Sequence, residues 1–308
     1  MVTLRHERGR GKSDFYDVDE MVCCQLSTGG ESRFVIDPER YLGCGGNAIV
    51  YQCSNAVTGE QCAIKIQVVN NPERQARFKR EVQLLTDVHH DQLMTGIASG
   101  SMQLETKENG ERLCPFAIMS LADTNLNDLI RLNSAALSEE LLCGQYRGLS
   151  GALAVLHTKA IHRDIKPQNI LVRGDNWILA DYGLCKFLDD EGPEVTIEGE
   201  KIGPRYWMSP ESMNRIIGNR DEISKASDVF QLASVFWFAA TKRHPTGIVK
   251  LNDWPGPPKI FEVLESALSH DPQSRPKDGA EFHERIKAAL FSQCLERSKC
   301  NLNHGVIS

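Results

Sequence analysis

The chain has 308 residues, enough for one large domain or two ordinary ones, and its 41% apolar and 25% charged residues exclude global disorder. Lys plus Arg number 35 and Asp plus Glu 41, and the resulting net charge of −6 argues against a protein built to coat nucleic acid. The ten cysteines form no CxxC pair, so reduced thiols and a cytoplasmic, reducing compartment are expected. No apolar secretory segment opens the chain. The longest apolar stretch, Val229 to Ala240, is broken by Gln231 and Ser234 and is too short to span a bilayer, so no membrane partner is expected.

Residues 1–34 read as a flexible extension: Arg5, Arg8, Arg10 and Lys12 are interspersed with glycines, and an acidic patch follows from Asp14 to Glu20. From Arg33 to Gln67 the pattern predicts short strands. Ile49-Val50-Tyr51 and Ala63-Ile64-Lys65-Ile66 flank a turn at Thr58-Gly59. A helix follows, capped by Asn71, with Pro72 in its first turn and Phe78, Val82 and Leu85 at helical spacing. Strands are expected again over 93–104 and 113–119, joined at Asn109-Gly110.

Beyond Ser120 the chain turns helical. Leu142, Tyr146, Leu149, Leu153 and Leu156 mark one buried face, and Ser138 stands where the helix needs a cap. A small hairpin is expected from Ile170 to Ala180, then helices at about 226–241, 258–269 and 279–292. The fold class is α+β: a β-rich part with one key helix over 35–119, a larger helical part over 120–290, and a tail over 291–308.

The string His162-Arg163-Asp164-Ile165-Lys166-Pro167-Gln168-Asn169 is followed twelve residues on by Asp181-Tyr182-Gly183. In order and spacing these resemble the catalytic loop and metal-binding motif of eukaryotic-type protein kinases, and the resemblance spans about 35–290. It implies a two-lobed fold with ATP between the lobes, and transfer of the γ-phosphate of Mg·ATP to a Ser or Thr of a protein substrate. Such transfer needs positioning and neutralisation of charge more than covalent help.

Each matching residue can be asked what it supplies. In Leu42-Gly43-Cys44-Gly45-Gly46-Asn47-Ala48-Ile49-Val50 the glycines let backbone N–H groups approach phosphates, although Ala48 stands where the family has a third glycine. Leu42, Gly43, Gly45, Val50 and Ala63 are the implied nucleotide contacts. Lys65 resembles the family lysine that holds the α- and β-phosphates, with Glu81 as its ion-pair partner. Met119 looks like the back of the adenine pocket, and Ser120 to Ala122 would offer backbone bonds to adenine. Asp164 is the implied base, Lys166 neutralises the γ-phosphate, and Asn169 and Asp181 supply the hard oxygen ligands that Mg²⁺ prefers.

Downstream, Ser209-Pro210-Glu211 and Arg275 resemble the family's paired glutamate and arginine, and Asp228 its anchor for the catalytic loop. Specificity is left open. Lys166-Pro167 resembles Ser/Thr kinases, whereas Pro204 and the string through Ser212 resemble the substrate shelf of tyrosine kinases, so dual specificity stands as an alternative. Ala48 and Pro204 also leave room for a scaffold that binds nucleotide without turnover. Arg163 and Lys186 are the implied pocket for a phosphate on Thr196, the only hydroxyl residue between Tyr182 and Tyr206. The acidic residues around Thr196 argue the other way. The oligomeric state is not legible.

Overall fold

The computed structural model describes residues 1–8, 12–45, 48–106, 110–132, 137–189 and 206–304. The chain divides into two compact units. One comprises Met1–His89 and Met94–Ala122, and the other His90–Leu93 and Asp123–Ser308.

The first unit is a sheet with one helix. Its strands are β1 (Val2–Arg8), β2 (Lys12–Val18), β3 (Met21–Leu26), β4 (Glu31–Cys44), β5 (Ala48–Asn55), β6 (Gln61–Gln67), β7 (Gly96–Thr106) and β8 (Gly110–Ser120). Helix α1 (Pro72–Asp87) lies between β6 and β7 in the chain. Strand β7 pairs with β2, β3 and β8, and β8 pairs with β6, so strands β3-β4-β5-β6-β8-β7 close on themselves. Closure removes the open edges a sheet would otherwise present. The interior is apolar, with Phe34, Ile36, Tyr51, Ile64, Ile66, Phe116 and Ile118 all buried. At Gly100 an added Cβ would stand 2.8 Å from the Phe116 ring, so this strand can pass the ring only as glycine.

The closed sheet corrects the reading of residues 1–34. Among the described residues, strands β1, β2, β3 and the start of β4 run through this segment, and Leu4, Tyr16, Val18, Val22 and Cys24 join the core. The pattern was there to see. Leu4 and His6 alternate with exposed Thr3 and Arg5, as do Tyr16 and Val18 with exposed Phe15 and half-buried Asp17. The basic charges and glycines concealed that alternation.

The second unit carries β9 (Thr124–Asn125), α2 (Leu126–Leu132), α3 (Glu139–Leu156), β10 (Ala160–Ile161), β11 (Ile170–Arg173), β12 (Asn176–Leu179), β13 (Lys186–Phe187), α4 (Pro210–Ile216), α5 (Lys225–Thr241), α6 (Pro258–Ala267) and α7 (Gly279–His304). Ser138 caps α3 by accepting from the Leu141 N–H at 3.1 Å, and the predicted apolar face of α3 is buried. Helix α5 is buried on nearly every side, as its composition requires. Tyr146 packs on Phe236 and donates to its carbonyl at 3.2 Å, while Trp237 stacks on Trp254. Helix α7 continues through residues 291–304, which the sequence reading set apart as a tail.

The short segment His90–Leu93 departs from the expected boundaries. It follows α1 in the chain yet belongs to the second unit. Leu93 bridges to Leu179, the Leu179 N–H donates to the Gln92 carbonyl at 2.9 Å, and Gln92 donates to Gln145 at 2.6 Å. Among the described residues no helix is long and apolar enough to cross a membrane, and the described cysteines form no disulfide.

Candidate active site

In the first unit, register brings the expected nucleotide contacts onto one face of the sheet. Gly43 pairs with Val50, Val50 with Lys65 and Lys65 with Ala117. One row over, Ala63 pairs with Met119, and Cys62 with Ser120. Directly opposite residues share a face, so Gly43, Val50, Ala63, Lys65 and Met119 stand together. Leu42 is half exposed beside them and Ala122 ends the unit. The turn carrying Gly45 is closed by its N–H donating to the Ala48 carbonyl at 2.9 Å, while residues 46–47 lie outside the described part.

Lys65 is mostly buried, and its ammonium meets a Glu81 carboxylate oxygen at 2.6 Å. Asn71 makes this possible at a distance. Its side chain accepts from the Arg74 N–H and starts α1, and Pro72 fills the first turn where a missing N–H costs nothing. The helix then delivers Glu81, itself buried, onto Lys65. The charge that would be expensive alone in an apolar strand is therefore paired.

The second unit gathers the other candidates on the turn between β10 and β11. Asp164 is nearly buried. Its Oδ2 accepts from the Lys166 ammonium and from the Asn169 amide, both at 2.8 Å. Its Oδ1 is buried and has no hydrogen-bond partner among the described residues. Burial pushes the Asp164 carboxyl above its ordinary value. Lys166 pulls it back, Asp181 pushes it further up, and His162 opposes. Asn169 also donates to the Asp164 carbonyl at 2.9 Å, so its nitrogen is committed and its amide oxygen remains as a ligand.

Asp181 is tied to the same loop through its neighbour. The Ala180 N–H donates to the Asn169 carbonyl at 2.9 Å, and His162 Nε2 contacts the Ala180 carbonyl at 3.2 Å. Because His162 Nδ1 accepts from the Asp164 N–H, Nε2 carries the ring proton and donates. Tyr182 is buried with its ring edge-on to His162.

Two non-glycine residues of this site are held in left-handed backbone: Arg163 at φ 68° and Asp181 at φ 66°. Such positions persist only where the surroundings over-determine them. For Arg163 the surroundings are explicit. Asp228, fully buried on α5, accepts from the His162 N–H at 2.6 Å and the Arg163 N–H at 2.8 Å. The Ile165 N–H donates to Gln231, one turn on along the same helix, at 3.1 Å. The Arg163 guanidinium donates through Nε to the Leu184 carbonyl at 2.7 Å, and Lys186 lies in β13, paired with Ile161. Thr196 and Pro204 lie outside the described residues.

Glu211 and Arg275 meet in a two-pronged pair at 2.9 and 3.0 Å, with Ser227 donating to the same carboxylate at 2.5 Å. Burial pushes the Glu211 carboxyl up, but the bonds from Arg275 and Ser227 outweigh it and hold it below its usual value.

Sequence reasoning missed His157 and Gln231. His157 is buried at the end of α3. Its Nδ1 accepts from the Gly279 N–H at 2.8 Å, so Nε2 donates to Asp228 at 3.0 Å. Gln231 did leave a signal: it interrupts the apolar run three residues after Asp228, which puts both on one helix face. His157 left none, because its partners lie 71 and 122 residues away.

The family described as the protein kinase domain matches residues 36–295. A probable serine/threonine-protein kinase of Streptomyces coelicolor is 25% identical over 284 residues, covering 85% of this chain and 40% of its own length. Serine/threonine-protein kinase PknA of Mycobacterium tuberculosis is 25% identical over 269 residues, covering 81% of this chain and 60% of its own. Probable serine/threonine-protein kinase PknB of Bifidobacterium longum is 27% identical over 271 residues, covering 80% and 38%. The chain thus spans less than two thirds of the length of these relatives.

Proposed function

The chain belongs to the protein kinase domain family, and from that membership we propose that it transfers the γ-phosphate of Mg·ATP to Ser or Thr hydroxyls of a protein substrate. The observation that carries this reading is the Asp164 carboxylate. One oxygen is held by Lys166 and Asn169, and the other is buried without a partner among the described residues. A buried acceptor left open is costly unless something donates to it, and a substrate hydroxyl is the donor the reaction supplies. As the hydroxyl oxygen bonds to the γ-phosphorus and the bond to the departing ADP breaks, Asp164 Oδ1 takes the proton. Its raised basicity suits that role.

Lys166 is placed by its bond to Asp164 to share its charge with the transferred phosphoryl group. Lys65, fixed by Glu81, serves the α- and β-phosphates, and the Gly43–Gly45 turn offers backbone N–H groups to them. The donor set fits a hard divalent cation. Asp181 provides a carboxylate and Asn169 an uncommitted amide oxygen, and Mg²⁺ is usually held by few protein ligands together with substrate phosphates. When bound there, the cation would neutralise charge on the phosphates. Ser120 to Ala122 serve adenine through backbone groups. The names of the relatives favour Ser/Thr acceptors, as does the Lys166-Pro167 pair.

The test incubates wild type and Asp164→Asn with Mg·ATP and a generic protein substrate, with mass spectrometry to locate phosphate. Phosphoserine or phosphothreonine from wild type alone supports the proposal, and phosphate on Thr196 would identify that residue as a control site. Phosphotyrosine as the main product would overturn the specificity. Tight ATP binding with no transfer would replace catalysis by a scaffold role.

A further inference from the structure

The strand β1 lies at the end of the sheet order, with β2 as its one strand partner among the described residues. Successive residues of such a strand aim their N–H and C=O groups alternately at the partner and away from it. Arg5 is one whose pair points away, and both groups are nonetheless satisfied. The Arg5 N–H donates to the Tyr51 hydroxyl at 2.7 Å, and the hydroxyl donates to the Arg5 carbonyl at 2.9 Å. One phenol thus stands in for a missing neighbouring strand.

Tyr51 lies in β5, directly after Val50, and is 1% exposed. Its place matters because β4 and β5 carry the turn with Gly43 and Gly45 at their tip. The β4–β5 ladder is irregular on the way to that tip. Pairing lapses between Ile36 and Tyr41, where Pro38 can give no N–H, and shifts again between Tyr41 and Gly43. Tyr41 sits between the two irregularities, and its ring packs edge-on against Tyr51 at 5.3 Å. The nucleotide-binding turn therefore has a weak ladder at its base and a ring pair beneath it. That ring pair is tethered to β1 through the hydroxyl. Residues 1–35 lie outside the span that matches the protein kinase domain.

We propose that the β1–β2 hairpin braces the nucleotide-binding turn, and that Tyr51 is the positioning residue through which the brace acts. This rests on the reading of the Gly43–Gly45 turn as the ATP phosphate site. The brace limits the motions of β5 and so reduces the ordering that ATP binding requires. The expected consequence is selective: ATP affinity depends on the hydroxyl, whereas proton transfer at Asp164 does not.

The test measures Mg·ATP binding by calorimetry and, separately, steady-state kinetics of full-length wild type, Tyr51→Phe and Arg5→Ala. Tyr51→Phe keeps the ring and removes the tether. Arg5→Ala removes an exposed side chain, and with it the bond from its Nε to the Ser13 hydroxyl on β2 at 3.0 Å, but keeps both backbone groups. Tyr51→Phe is expected to weaken ATP binding and raise the ATP KM by about three- to tenfold, the worth of a lost hydrogen-bond pair. Its kcat at saturating ATP should stay within about twofold, and Arg5→Ala should match wild type. Equal ATP affinity in folded Tyr51→Phe, or a fall in kcat without a change in ATP affinity, would overturn the brace. No ATP binding by wild type would overturn the underlying site reading and the brace with it.

Hydrogen exchange on wild type needs no variant. By reciprocity, bound Mg·ATP should slow exchange of the Arg5 amide at least about threefold, and an unchanged rate would overturn the proposal even if Tyr51→Phe failed to fold.

Discussion

Removing the Asp228 carboxylate tests how the second unit holds the loop that begins at His162. The side chain is fully buried and accepts from three N–H groups: the backbones of His162 and Arg163 and the ring of His157. In Asp228→Ala, two buried backbone donors lose their acceptor. Each unsatisfied buried donor costs about 1–3 kcal/mol. The left-handed backbone of Arg163, another roughly 1–3 kcal/mol, would lose the bond that offsets it. Cavity collapse and relaxation of the loop return part of this, so about 3–5 kcal/mol is expected, a large part of a typical stability of roughly 5–15 kcal/mol. At about 2–4 °C per kcal/mol for a unit of this size, the midpoint should fall by roughly 10 °C. Asp228→Asn keeps one acceptor oxygen and should lose about half as much. All four tryptophans, Trp177, Trp207, Trp237 and Trp254, belong to the second unit, so their fluorescence during urea or thermal unfolding reports on it selectively. A loss below about 1 kcal/mol in Asp228→Ala would refute the argument that these bonds hold the loop in its strained form.

Four further outcomes are expected. Activity should fall as pH drops through the raised Asp164 value, because the base must be ionised. Lys166→Ala removes a charge that lowers that value, so the acid limb of the kcat profile should move to higher pH, and an unmoved limb would count against Asp164 as the base. Lys65→Met should abolish transfer while leaving the second unit's unfolding unchanged, and retained transfer would remove Lys65 from the site. Glu211→Gln breaks a buried charge pair and should cost about 3–5 kcal/mol at neutral pH. Because the folded Glu211 value is depressed, its contribution is complete above the unfolded carboxylate value of about 4.3 and is lost as pH falls through the folded one. The variant's stability should therefore depend less on pH in that acidic window than wild type's. Deleting residues 1–26 removes Leu4, Tyr16, Val18, Val22 and Cys24 from the first unit's core, and at about 1.5–3 kcal/mol per large apolar side chain it should prevent that unit from folding. Normal ATP binding by the truncated chain would show that the extension reading was sound.

The sequence by itself determined the family resemblance and many of the regular elements. His162 to Asn169 and Asp181 stood out as candidates because the resemblance rests on particular groups at fixed short spacings. Helices α1 and α3 were legible from their caps and periodic apolar faces, since those signals act within one element. The tertiary structure decided what depends on partners far along the chain. The described residues of 1–34 became strands because β7 was there to pair with β2 and β3, and Arg5 among them is exposed, where its charge costs little. His90–Leu93 joined the second unit because Leu179 and Gln145 satisfy its polar groups. His157, Gln231 and Tyr51 gained their roles from acceptors and donors tens of residues away. A hydrogen bond depends on where two groups meet in space, and for such distant pairs only the assembled fold brings them together.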